Sequence, residues 1–154
     1  MRKRYGTARN TRKSGKSVGK RRINHVESKV QSDCVNFFRS AILDGRAFLF
    51  AVPNGEKRNP FTAKLLKDLG VEPGVSDLIL IGENKTIVFL EAKSPPYMVV
   101  NSRTGKPYKR PAGKQSELQE LFQKRVERFG FSYRVFDSLD SFIKILQEFN
   151  ILKF

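Results

Sequence analysis

The apolar residues that follow the first basic stretch predict a helix and then a strand. Helical spacing runs from His25 to Leu43, and Gly45 directly afterwards is a suitable stop. The next run, Arg46–Val52, is continuously apolar and aromatic, which predicts a buried strand. The apolar face of the helix comprises Val26, Val30, Cys34, Phe37, Phe38 and Ala41.

A second, shorter helix precedes a pair of strands. Asn59 is a suitable N-cap and Pro60 suits the first helical position, so the pattern predicts a helix over Phe61–Leu69. Two apolar runs follow, Val75–Ile81 and Ile87–Leu90, and a polar turn separates them. Apolar runs of this length on either side of turn residues predict a β-hairpin.

The last part of the chain reads as a helix, a strand and a helix. The first helix begins near Gln115 and ends at Gly130, the strand covers Ser132–Phe136, and Ser138 caps the final helix. The apolar face comprises Leu118, Leu121, Phe122, Val126 and Phe129 in the first of these helices, and Leu139, Phe142, Ile143, Leu146 and Phe149 in the last.

These segments together predict the fold class. Their order is α-β-α-β-β-α-β-α, and a chain of 154 residues is long enough for one domain with a proper core. Strands that are apolar on both faces and alternate with helices imply a sheet covered on both sides. We therefore predict an α/β fold with a central mixed β-sheet flanked by helices on both faces.

Charge narrows the class of partner. The chain has 30 Lys and Arg against 15 Asp and Glu, a formal charge of +15, which favours a polyanion and above all nucleic acid. Residues 1–22 contain ten of the basic residues and no acid, so we expect a flexible basic N-terminal arm followed by a domain over residues 23–154. The single Cys34 and single His25 exclude an internal disulfide and a zinc cluster of these ligands.

The hydropathy of the chain predicts no membrane-spanning segment. No apolar run approaches the length needed to cross a bilayer, and no hydrophobic stretch follows the basic N-terminus as it would in a secretory signal. We therefore expect an intracellular protein that has no membrane contact.

Residues 94–114 form a second basic segment, rich in Pro and Gly and without acid. Ser102–Gly105 is suited to turning a small projecting hairpin. The segment is a candidate DNA contact or a dimer arm, and the loop around Gly55 is a further candidate DNA contact. The candidate DNA-binding residues are Asn54, Lys57, Arg58, Arg103, Lys106, Lys109, Arg110 and Lys114.

Ionised residues lie inside the predicted hairpin, where burial is costly without compensation. Asp77 falls in the first apolar run, and Glu91 and Lys93 end the second. Two neighbouring carboxylates repel each other unless a divalent cation lies between them, and hard oxygen ligands suit Mg²⁺ or Mn²⁺. We therefore predict a metal site, with Lys93 holding a water or hydroxide and offsetting negative charge.

The register of the hairpin tests this prediction. Side chains alternate between the faces of a strand, so Asp77 and Glu91 share a face only when paired positions sum to an even number such as 168. The connecting loop then has an odd number of residues, for example Glu83–Lys85. We predict a loop of three or five residues, or a bulge, rather than a regular two-residue turn.

Four motifs in order resemble one nuclease family. "PNGEKRN", then "LGVEPGVSDLIL", then "FLEAK", and then "SELQ" on a helix resemble the virus-type replication-repair nuclease (VRR-NUC) domain of the PD-(D/E)XK superfamily. The resemblance covers residues 26 to 137. The chain departs from the family pattern at Ser76, where a Pro usually precedes the motif Asp, and in the greater length of residues 94–114.

The resemblance implies a role for each matching residue. Asp77 and Glu91 would bind the metal together with the Ala92 carbonyl, and Lys93 would orient or activate the attacking water. Glu27 matches an acidic position on the first helix that reaches a metal directly or through water. Gln119 matches a glutamine that braces the site, and Gln31, one helical turn after Glu27, would assist. The implied catalytic set is thus Asp77, Glu91, Lys93, Glu27 and Gln119.

The resemblance also implies an activity. It indicates a DNA endonuclease dependent on Mg²⁺ or Mn²⁺ that recognises DNA structure more than sequence. Stand-alone domains of this kind resemble phage and bacterial proteins that cut branched DNA such as Holliday junctions, for which a homodimer supplies two active sites. Two alternatives stay open: a nuclease acting on linear duplex or single strands, and a non-catalytic nucleic-acid-binding protein.

Overall fold

The computed structural model describes residues 25–53 and 60–153. The predicted basic arm, residues 1–22, and the predicted DNA contacts Asn54, Lys57 and Arg58 lie outside the described residues. The elements are α1 (His25–Ala41), β1 (Ala47–Ala51), α2 (Pro60–Asp68), β2 (Leu78–Gly82), β3 (Thr86–Ala92), β4 (Tyr97–Val100), β5 (Pro107–Arg110), α3 (Glu117–Arg128), β6 (Ser132–Phe136) and α4 (Leu139–Glu148).

The central sheet has four strands in the order β1-β2-β3-β6. Strand β2 pairs antiparallel with β1 and with β3, whereas β3 and β6 are parallel. The predicted mixed sheet is therefore confirmed. Its central strands are the two arms of the predicted hairpin, and β1 and β6 are its edges.

One face of the sheet carries the apolar core. Side chains alternate along β2 and β3, so one set of aliphatic side chains points towards α1 and α4. These two helices pack against each other, α1 also packs against β3, and α4 also packs against β6. Burial of this area is the main favourable contribution to folding. The core comprises Cys34, Phe38, Leu78, Leu80, Val88, Leu90, Ala92, Phe136, Phe142, Ile145, Leu146 and Ile151.

The opposite face of the sheet is covered by α3. The Phe122 ring lies 5.4 Å from that of Phe89 on β3 and 6.3 Å from that of Tyr133 on β6, measured between ring centroids. Both contacts are edge-on, the arrangement that aromatic pairs favour. Helices therefore cover both faces of the sheet, as predicted.

Two expectations about burial were wrong. Strand β1 is not buried, because it is an edge strand, and the Phe48 side chain on it is 58% exposed. Helix α3 buries a narrower stripe than its apolar residues suggest, since it contacts the sheet mainly through β6. Leu118, Leu121 and Phe129 are 51%, 58% and 70% exposed, and Val126 alone in this helix is fully buried.

The basic segment that follows β3 forms the projecting hairpin predicted for it. Strands β4 and β5 pair antiparallel and make a separate two-stranded sheet, which the predicted element order did not include. The Asn101 side chain accepts hydrogen bonds from the Arg103 and Thr104 amides and shapes the turn. In the part of the chain that is described, no helix is long and apolar enough to cross a membrane.

Candidate active site

The register of the β2–β3 hairpin places Asp77 opposite Glu91. Leu78 pairs with Leu90 and Gly82 pairs with Thr86, so paired positions sum to 168 and the loop is the three residues Glu83–Lys85. The odd loop length predicted from the sequence is therefore confirmed. Asn84 and Lys85 adopt left-handed backbone angles, φ 55° and 62°, that close this loop.

Asp77 directly precedes strand β2 and contacts the end of β3. Its carboxylate Oδ2 accepts a hydrogen bond from the Ala92 amide at 3.0 Å, and its carbonyl accepts one from the Val52 amide at 2.8 Å. The N–H and C=O of a strand residue point to the same side, so the Ala92 carbonyl is also directed towards Asp77. This orientation agrees with the predicted use of that carbonyl as a metal ligand.

Glu91 is fully buried and surrounded by hydrogen-bond donors. Oε1 accepts from the Lys93 ammonium at 2.6 Å and from the Gln119 side-chain amide, and Oε2 accepts from the Tyr133 hydroxyl at 3.2 Å. The pKa of Glu91 is raised to about 7, and burial is the main cause. The hydrogen bond from Lys93 acts in the opposite direction, and the nearby Asp77 carboxylate raises the pKa further.

Lys93 links Glu91 to helix α3. The ammonium donates to Glu91 and, at 3.1 Å, to the Gln119 carbonyl oxygen, and its side chain is only 8% exposed. Burial raises the pKa of Asp77, while its hydrogen bond from Ala92, the Lys93 charge and a hydrogen bond with Glu91 act in the opposite direction. Four of the predicted catalytic residues, Asp77, Glu91, Lys93 and Gln119, thus form one cluster, in which Glu91 and Lys93 are buried.

Gln119 connects this cluster to the N-terminus of α3. Besides its contacts with Glu91 and Lys93, its side-chain oxygen accepts from the Ser116 amide at 2.8 Å, and its own amide donates to the Ser116 hydroxyl at 3.3 Å. This is a capping box, which satisfies two amides that the first turn of a helix leaves without partners. One side chain therefore both starts the helix and holds the site.

A glycine allows α3 to approach the loop before Asp77. Gly74 has φ of 80°, and a Cβ at this position would lie 2.4 Å from the Leu118 carbonyl oxygen. Backbone atoms cannot retreat as a flexible side chain can, so any larger residue would push α3 away. Gln119 directly follows Leu118 in α3, so the close approach brings the Gln119 side chain to Glu91.

Tyr133 is a site residue that the sequence analysis missed. It lies on β6, opposite Phe89 in the parallel pairing, and is 2% exposed, with its hydroxyl on Glu91. Burial is the main cause of its raised pKa, so it is a neutral hydrogen-bond donor at ordinary pH. The available signal was a tyrosine at an inward-facing position of the predicted strand, but its partner depends on a long-range strand pairing.

The remaining predicted residues lie elsewhere. Glu27 on α1 lines an open cavity beside Ser94, and Gln31 follows it as a half-buried residue of the same helix. Within residues 25–53 and 60–153, no group of three or more His, Cys, Asp and Glu side chains is arranged to hold a metal. The exposed residues on and after the β4–β5 hairpin include Arg103, Lys106, Lys109, Arg110 and Lys114.

The donor set fits Mg²⁺ or Mn²⁺. With both carboxyls ionised, Asp77, Glu91 and Lys93 carry one net negative charge where Glu91 and Lys93 are buried, which a divalent cation would compensate. Glu91 accepts hydrogen bonds from Lys93, Gln119 and Tyr133, and a cation between the two carboxylates would replace the hydrogen bond between Glu91 and Asp77. Mg²⁺ typically takes one or two protein carboxylates and keeps several waters, so this pair suffices.

Comparison with known proteins supports the fold. No protein-family model matches the chain, and no curated protein matches it in sequence. A solved structure described as a VRR_NUC domain protein superposes on it with a TM-score of 0.54, at 19% sequence identity, over 82% of this chain and 89% of the other. The resemblance expected from the four sequence motifs is confirmed at the level of three-dimensional structure. The chain therefore has the fold of this VRR_NUC domain protein.

Proposed function

We propose that this protein is a divalent-metal-dependent nuclease that hydrolyses phosphodiester bonds in DNA. The observation that carries the proposal is the cluster of half-buried Asp77 with buried Glu91 and Lys93 at the shared end of two paired strands. A protein gains little stability from ion pairs held out of water, so such a cluster favours a chemical role. The VRR_NUC name of the structural neighbour agrees with this assignment.

The residues of the cluster have separable tasks. Asp77, Glu91 and the Ala92 carbonyl would hold the cation, which when bound lowers the pKa of a water and neutralises charge on the phosphate. An ammonium has three N–H donors, and within the described residues two of those on Lys93 contact Glu91 and Gln119. The third would orient the attacking water or contact a phosphate oxygen. Gln119 and Tyr133 keep Glu91 in place.

DNA is the substrate that the charge of the chain favours. A formal charge of +15 attracts the phosphate backbone without reading bases, and such binding weakens as salt rises. We propose selectivity for branched DNA, with Mg²⁺ or Mn²⁺ as cofactor and a homodimer that supplies two sites. The exposed basic residues of the β4–β5 hairpin are available to contact the phosphate backbone of DNA.

Cleavage of labelled DNA tests this proposal. A four-way junction, a flapped duplex and a linear duplex are incubated with Mn²⁺, Mg²⁺ or EDTA. We expect cleavage only with metal, fastest on the junction, and nearly none with Asp77→Asn or Lys93→Ala, while both variants still bind DNA. Glu83→Gln is the matched control, since it removes a carboxylate from the loop of the same hairpin and should cleave normally. Binding without cleavage at any metal concentration would instead support a non-catalytic DNA-binding protein.

A further inference from the structure

An open cavity of about 590 Å³ lies beside the proposed active site. Its volume is within the range of small-ligand sites, about 300–1,000 Å³. Ser94, which directly follows Lys93, is part of its wall, and the Gly113 amide donates to the Ser94 carbonyl at 2.8 Å. The lining includes Glu27, Ser94, Tyr97, Tyr108, Arg110 and Gly113.

The β4–β5 hairpin turns an aromatic face towards this cavity. Tyr97 pairs with Arg110, and Tyr108 pairs with Val99, so alternation puts these four side chains on one face. The opposite face presents Met98, which is 64% exposed. The hairpin is therefore two-faced, and the face with two tyrosines and an arginine is the one that lines the cavity.

Arg110 is oriented by both tyrosines. Its Nη1 donates to the Tyr97 hydroxyl at 3.4 Å, and a hydrogen bond to the Tyr108 side chain is the main cause of its raised pKa. A guanidinium has five N–H donors in a planar fork, so these two contacts leave others for an anion. The orientation is thus set before a ligand arrives, which reduces the entropy lost on binding.

We infer that this cavity binds one unpaired nucleotide of the DNA substrate, next to the phosphate that is cut. Its base would stack on the tyrosine rings, as bases do on the aromatic side chains of single-strand-binding proteins, and Arg110 would contact its phosphate. Glu27, which also lines the cavity, would repel phosphate but accept hydrogen bonds from base amino groups, so the base rather than the phosphate would face Glu27. A base inside a duplex is stacked on both sides and cannot enter.

This inference rests on the proposed nuclease function only for the position of the cut. The presence of a nucleotide pocket requires no metal and no catalysis. It gives a preference for flapped and open branched DNA a physical basis, because flaps and open branch points offer unpaired bases and a blunt duplex does not.

Fluorescence anisotropy in EDTA tests the pocket without cleavage. A labelled single-stranded octanucleotide should bind Tyr108→Ala about 10-fold more weakly than the wild type, because stacking on one aromatic ring is lost. Tyr108→Phe, which keeps the ring and loses only the hydroxyl that contacts Arg110, should bind more tightly than Tyr108→Ala. Met98→Ala is the matched control on the opposite face of the same hairpin, and a blunt duplex should bind all four proteins alike. Equal losses for Tyr108→Ala and Met98→Ala, or none for either, would overturn the pocket.

A cleavage assay in Mn²⁺ separates the pocket from the nuclease function. Tyr108→Ala should lose about 10-fold in rate on a flapped duplex relative to a blunt one. Metal-dependent cleavage with no effect of Tyr108→Ala would overturn the pocket and leave the nuclease function standing. Ring-dependent binding of single strands without cleavage in any metal would support the pocket and overturn the nuclease function.

Discussion

At the C-terminal end of strand β3 both faces are buried, and they serve different purposes. Leu90, Glu91 and Ala92 are 0% exposed, and Lys93, directly after the strand, is 6% exposed. Leu90 and Ala92 point into the apolar core under α1 and α4, whereas Glu91 and Lys93 point towards α3. Residues one position apart therefore face a dry apolar core and a hydrogen-bonded ionic cluster.

The contrast shows that burial alone does not identify a stabilising residue. On the core face each buried side chain contributes by leaving water. On the site face, burial disfavours the charged form of Glu91, as its raised pKa shows. Substitutions on the core face should therefore reduce stability, and substitutions on the site face should reduce activity.

The largest expected effect is on activity. Glu91→Gln should lower the cleavage rate at least about 100-fold, since it removes a metal-binding charge. The free energy of unfolding should change far less than the cleavage rate, because relief of the buried Glu91 charge offsets part of the loss of its ion pair with Lys93. Cleavage assays and urea denaturation measure the two quantities. Retained cleavage, or a large loss of stability, would erase the contrast between the faces.

On the core face, Leu90→Ala should lower the free energy of unfolding by about 2–5 kcal/mol, because it leaves a cavity beneath α1 and α4. Residual folded protein should cleave DNA at close to the normal rate. Ile81→Ala is the matched control on the other face, where the side chain is 38% exposed, and should cost less than about 1 kcal/mol. Urea denaturation followed by circular dichroism gives both values.

Gln119 contributes both to stability and to activity, and two substitutions separate these contributions. Gln119→Ala should lower cleavage about 10-fold, because the donor that positions Glu91 is lost, and should also weaken the helix cap. Ser116→Ala removes only the cap and should cost about 1 kcal/mol of stability with normal cleavage. If both variants lose activity equally at a temperature where they are folded, Gln119 acts only through the helix.

The smallest expected effect concerns the approach of α3. Gly74→Ala and Gly70→Ala both force alanine into a left-handed conformation, at a cost of about 1–2 kcal/mol each. At Gly70 the added carbon meets nothing within 4 Å, whereas at Gly74 it would overlap the Leu118 backbone. Only Gly74→Ala should therefore also slow cleavage. Melting temperatures and cleavage rates of the two variants separate strain from displacement of α3.

Much of the architecture follows from local patterns in the sequence. Three elements match their predictions: strand β6, the three-residue loop Glu83–Lys85 and the capped helix α4. They match because alternation, turn chemistry and capping depend on neighbouring residues. The face shared by Asp77 and Glu91 follows from the same local rules. The sequence alone therefore determined the hairpin and the charged residues that it brings together.

Tertiary structure decided what surrounds that cluster. The position of β1 at the edge left Phe48 exposed, and the parallel pairing of β3 with β6 brought Tyr133 to Glu91. The close approach at Gly74 placed Gln119 on Glu91 from 28 residues away. These contacts depend on which strands and helices pack together over long separations, and that choice is made by burial of the whole core rather than by any short stretch of chain.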